Sequence, residues 1–205
     1  MVISKERKYF ILGILFLCLQ ILVVVRNVLS GYLSFFWYCD FTPIIFSILF
    51  FARKDQMIKG LLNIGLFAQL GYAIILIYKM MTGVALLGFV FDFTGPFYMV
   101  SSLIIHLSTL VVFLTNYRVE PKKISLFYSL VFLSVIYFVV LMFTSPNNAI
   151  SGDYNFIYYS GLLSPHIKYY TSMWILLGFT VVTLPTYFFQ VLIYRIFKRN
   201  KLGRN

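Results

Sequence analysis

Six stretches of this chain, 9–29, 33–52, 60–79, 96–115, 124–144 and 171–194, are apolar almost throughout, and short patches rich in lysine and arginine separate them. Each is close to the ~20 residues that a helix needs to cross a hydrocarbon core of roughly 30 Å. Lipid supplies no hydrogen-bond partners, so a crossing segment must satisfy its own backbone, and a helix does so within one stretch. A transmembrane barrel would instead show alternating segments of about 10 residues, and none appear. The expected fold is all-α: a polytopic membrane helix bundle of six transmembrane helices, forming one domain over residues 1–205.

Composition agrees, with 61% hydrophobic and 11% charged residues against about 45–50% and roughly 25% in soluble domains. A net charge of +11 could point to nucleic acid, but the basic residues cluster at the ends of the apolar runs, as cytoplasmic loops do. Of the 17 Lys and Arg, 14 fall on one side of the expected membrane, leaving only Arg26, Lys79 and Lys168 on the other. That asymmetry puts both termini in the cytoplasm, and an even number of spans satisfies the same condition independently. The expected setting is therefore the cell membrane, multi-pass, with membrane lipids as partners and no nucleic acid. The first run is read as an uncleaved helix, because no small-x-small cleavage site follows Arg26, Asn27 and Val28.

Cys18 and Cys39 both lie inside expected spans, so no disulfide framework is expected. Two histidines and two cysteines far apart in sequence give no spacing for a zinc site, and no glycine-rich phosphate loop indicates a cofactor. The segment 81–93, "MTGVALLGFVFDF", is too short and glycine-broken for a crossing and reads as re-entrant or interfacial. Thr94 is the expected cap of the helix that Pro96 opens. The connection 145–170 carries five tyrosines, which suit either an interfacial aromatic belt or a rim over a substrate site.

Ionisable groups inside a membrane are costly, so each is a functional candidate. His106 lies near the middle of the fourth span, with Ser102 four residues before it and Thr109 three after, one polar stripe on a helix. Such a stripe serves either as interhelical hydrogen bonding or as the seat of a general base. In "WYCDFTPIIF", residues 37–46, a thiol, a carboxylate and a helix breaker fall within five positions. A buried cysteine alone is usually an inert small hydrophobe; a neighbouring imidazole would let Cys39 attack an acyl carbon. With boundary errors of about four residues, Cys39 and His106 are allowed to lie level in the bilayer. Pro43 removes the backbone donor to the Cys39 carbonyl and loosens the helix beside Cys39 and Thr42. Asp40 is expected to pair with Arg26 or to orient a histidine, while Arg26 itself is read as snorkelling. Asn63, Gln69 and Gln190 read as helix glue.

In order along the chain, "WYCDFTPIIFSILFF", "FYMVSSLIIHLSTLVVFLTNYRVEPKKISLFYSLV" and "GDYNFIYY" resemble segments of the YwaF-type integral membrane proteins over about residues 33–160. Vertebrate relatives of that type include a phospholipid acyltransferase with a cysteine nucleophile and a histidine partner, and the androgen-induced lipid hydrolases with a threonine nucleophile. The resemblance implies a lipid acyl-transfer or acyl-hydrolysing enzyme with Cys39 as nucleophile and His106 as base. Asp40, Ser102, Thr42 and Asn155 would be supporting residues. Thr42 does not align cleanly with the hydrolases' threonine, and the late histidine of the relatives is matched only by His166, in a loop. The alternatives from the residues themselves are a small substrate-binding transport component or a scaffold without catalysis.

Overall fold

The structure, a computed structural model, describes residues 4–29, 37–84, 95–143 and 169–202. In chain order its helices are α1 (Lys5–Leu29), α2 (Tyr38–Phe51), α3 (Asp55–Thr82), α4 (Pro96–Asn116) and α5 (Ile124–Phe143). The sixth, α6, runs without a break through an α-helical Tyr170–Leu177, a π-helical Gly178–Thr183 and an α-helical Leu184–Leu202. All regular structure among the described residues is helical. Five of the six helices are long and apolar enough to cross a membrane. They turn bulky side chains such as Phe10, Ile21, Ile74, Phe127 and Phe188 outward, an exposure that water would penalise and lipid does not. The chain is a multi-pass membrane protein.

The span expected at 33–52 is helical over Tyr38–Phe51, and residues 33–36 lie outside the described part. Its 14 residues reach only about 21 Å at ~1.5 Å per residue. Thr94, Asn155, His166, Asp92 and most of 81–93 also lie outside the described residues. In front of Pro96 the capping position belongs to Gly95, whose side-chain-free backbone is extended. Helix α3 stops at Gly83, which takes a left-handed φ of 74° and donates its N–H to the Lys79 carbonyl, a turn that costs glycine little.

Basic ends gather at one end of the bundle. Lys5 pairs with Asp55 at 2.7 Å and Arg53 with Glu6 at 2.6 Å. Lys8 donates to the Thr115 carbonyl. Gln56, at the start of α3, clasps the α4–α5 connection by donating to Glu120 O and accepting from Lys122 N–H. The core beneath them is aromatic where α1 meets α2, with Phe16 and Phe46 ring centroids 5.3 Å apart and Tyr9 edge-on to Phe50 at 5.5 Å. Ser47 of α2 donates to the Gly13 carbonyl of α1.

Helices α3 and α5 cross closely at Gly60, where an added Cβ would sit 2.8 Å from Tyr128 Cβ and 2.9 Å from the Ser125 carbonyl oxygen. Small residues permit such approach between membrane helices. Ser129 fixes the crossing by donating to the Gly60 carbonyl, while Asn63 donates to Ser129 Oγ and accepts from Gln190 of α6 at 2.6 Å. Asn63 and Gln190 are thus the glue that their sequence positions suggest. Gly60→Val is expected to lower stability by about 1–3 kcal/mol through overpacking, measured as the thermal midpoint in detergent. Gly71→Ala, with nothing within 4 Å of its Cβ, is expected to leave that midpoint unchanged or raise it.

Candidate functional site

The loosened turn that Pro43 imposes on α2 is stabilised from α1. The Gln20 carboxamide donates to Asp40 O and accepts from Ile44 N–H, each at 3.0 Å. An unbroken helix would join those two backbone groups to each other, so a side chain has inserted into the ladder. This holds the first turn of α2, and with it Cys39 and Asp40, in a defined place.

Asp40 is 1% exposed and Arg26 3%. They form a buried ion pair through Arg26 Nη2 and Asp40 Oδ1. Asn27 donates to the other carboxylate oxygen at 3.0 Å, and the Cys39 thiol donates to Oδ1 at 3.3 Å. Arg26 also donates to Asn27 Oδ1 and, at 3.2 Å, to Ser102 Oγ of α4, with its guanidinium over the Tyr98 ring. A snorkelling arginine would reach the interface; Arg26 instead turns inward, because a buried carboxylate needs a compensating charge. That expectation is corrected, and the pairing foreseen for Asp40 is the one with Arg26.

His106 is 5% exposed. Its Nδ1 lies 2.6 Å from the Ser102 carbonyl oxygen. A carbonyl only accepts, so Nδ1 carries the proton, and in the neutral ring Nε2 is left as an acceptor. Tyr72 of α3 stacks on the imidazole with centroids 4.2 Å apart. The expected stripe is present, since Ser102, His106 and Thr109 are all buried on one face of α4.

Between these elements lies a cavity of about 330 Å³, at the small end of the roughly 300–1,000 Å³ typical of ligand sites. Arg26, Cys39, Asp40, Tyr98, Ser102 and His106 supply a polar wall from α1, α2 and α4. Leu133 and Ile136 of α5, with Leu177, Val181 and Val182 of α6, supply an apolar one. The π-helical turn of α6 lies on that wall; such turns shift side-chain register locally and recur at functional sites.

Cys39, Asp40, Ser102 and His106 therefore share one cavity. Thr42 does not line it: it is buried and donates to the Tyr38 carbonyl. Asn155 lies outside the described residues. Gln20 and Gln69, which also faces the cavity, are not legible as site residues, and Arg26 is legible only as an interfacial cation or the partner of Asp40. The available signals were Arg26 lying fourteen residues before Asp40 and Gln20 lying within helix reach of a proline-broken partner. Cys18 and Cys39 are both free, and no metal-binding group of three converges among the described residues.

Fold and cavity together define a multi-pass helical membrane protein with a ligand-sized cavity between its helices. No protein-family model, curated protein or solved structure matches the chain.

Proposed function

We propose that the protein is a membrane acyl-transfer or acyl-hydrolysing enzyme of the YwaF type, acting on the acyl chains of lipids. The observation that carries this reading is that Cys39 and His106, from separate helices, both line one amphipathic cavity between the helices. A lipid ester needs such a site: an apolar wall for its chain and polar groups for its carbonyl end. Cys39 Sγ would bond to the acyl carbon as the ester C–O bond breaks. The thiol proton would pass to His106 Nε2 and on to the departing alkoxide. An alcohol or water then attacks the thioester, His106 relaying its proton to the Cys39 sulfur. Asp40 and Ser102 hold the two participants: one accepts the resting thiol's hydrogen bond, the other offers the carbonyl that sets the imidazole tautomer.

Incubating the full chain with a phospholipid carrying labelled acyl groups is expected to leave label on the protein, released by neutral hydroxylamine. Label bound equally to a Cys39→Ala variant would remove the thioester from the mechanism.

In the accompanying topology six helices cross the membrane with both termini cytoplasmic, and α2 is the short crossing. Support comes from the lysine and arginine asymmetry together with the joining of α1, α2–α3 and α4–α5 basic ends at one end of the bundle. A reporter fused to the C-terminus that is active only outside the cytoplasm is expected to stay silent. A second reading, a substrate-binding transport component, is favoured by the thiol's hydrogen bond, which goes to Asp40 rather than to His106.

A further inference from the structure

Gln69 differs from the other amides buried between these helices in being bonded at neither end among the described residues, whereas Gln190 shares an unpartnered Oε1 but donates its N–H to Asn63. Gln69 is 6% exposed and lines the cavity, yet its Oε1 has no hydrogen-bond partner. No N–H of the amide is bonded among the described residues either. Asn63, on the same helix, shows the usual outcome, with both ends of its amide engaged by neighbours. Burying a carboxamide oxygen without a partner is unfavourable, and a helix has no local need for glutamine there, since leucine would form it equally well. What a ligand in the neighbouring cavity is able to reach is the amide nitrogen, which no hydrogen bond among the described residues engages and which, unlike Oε1, is not sealed.

Position narrows the partner. Gln69 is one turn before Tyr72 on α3, the same face, and Tyr72 stacks on His106. The carboxamide thus lies one turn along α3 from the ring that stacks on the base, on the same cavity. Its Oε1 is sealed among protein atoms, so the N–H groups are what it offers to the cavity, and these require an acceptor on the ligand. We infer that Gln69 is a substrate-binding residue that donates to the carbonyl oxygen of a fatty acyl ester while the chain lies against α5 and α6. This rests on the lipid-acyl reading of the cavity and assigns the ester carbonyl as the feature recognised.

The test compares two probes that differ by that carbonyl, monoolein and oleyl glyceryl ether, bound to the full chain in nanodiscs. Cys39→Ala protein is used throughout so that no ester is consumed. The parent is expected to bind the ester about tenfold more tightly than the ether, the effect of one hydrogen bond. Adding Gln69→Leu is expected to bring the ratio to within about twofold while ether affinity stays put. The same substitution is expected to raise the thermal midpoint, because an unsatisfied amide leaves the interior. A lower midpoint would mark Gln69 as structural and overturn the inference. So would an unchanged ester-to-ether ratio in Gln69→Leu, or a parent that binds neither probe or both alike. Failure of acyl transfer is read separately, from label on Cys39: an ester preference that depends on Gln69 without any thioester would leave a carbonyl-recognising binding site and sink only the catalysis.

Discussion

Arg26→Ala is expected to destabilise the protein by about 3–5 kcal/mol, the loss that follows when one partner of a buried ion pair is removed. The size follows from what is left behind. Asp40, 1% exposed, would keep only Asn27 and a thiol as donors, and Ser102 and the Tyr98 ring would lose the guanidinium that ties α1 to α4. Asp40→Leu alone should be about as harmful, since it strands the cation instead. Removing both charges, as in Arg26→Met with Asp40→Leu, is expected to recover most of the loss, because two buried charges together contribute little beyond the packing that apolar groups can match. Thermal midpoints in detergent measure all three, and added salt should hardly move the parent's, since a buried pair is poorly screened. Arg53→Ala is the contrast: its pair with Glu6 is 56% and 70% exposed and is worth about 0–1 kcal/mol. If Arg26→Ala melted no lower than Arg53→Ala, the buried pair would not be what joins the ends of α1, α2 and α4.

What the chain discloses before folding depends on how local each cause is. Five helices follow from continuous apolar stretches, because lipid leaves a backbone few other choices, and their ends shift by only a few residues, as α3 does by starting at Asp55 and stopping at Gly83. The polar stripe of α4 follows from helical periodicity alone. Elsewhere the cause lies on another helix. Arg26 looks like a snorkelling end residue until Asp40 is brought beside it. Gln20 looks like an ordinary interior glutamine until Pro43 leaves two backbone groups to bridge. Gln69 and Gln190 are indistinguishable in sequence, yet one finds Asn63 and the other faces a cavity. Nor does anything in "GFTVVT" announce the π-helical turn of α6.

Acyl transfer is where the largest rate effects are expected. Cys39→Ala and His106→Gln should each lower transfer from labelled phospholipid by about 10²–10⁴-fold, and the double variant should fall no further than the worse single one, because a nucleophile without its base and a base without its nucleophile fail at the same step. Glutamine is the informative replacement at 106, since its amide N–H is able to keep a bond to the Ser102 carbonyl while lacking a basic nitrogen. Cys39→Ser separates chemistry from geometry in the same way: a hydroxyl keeps a donor for Asp40 but is the weaker nucleophile. Binding of the carbonyl-free ether should be unaltered in all of these variants, which ties their defect to bond-making. Multiplicative losses in the double variant would mean that the two side chains act independently, each touching the ligand without passing a proton between them. In that case the cavity would be a binding site that happens to contain a thiol and an imidazole, and the transport reading would be the better account of it.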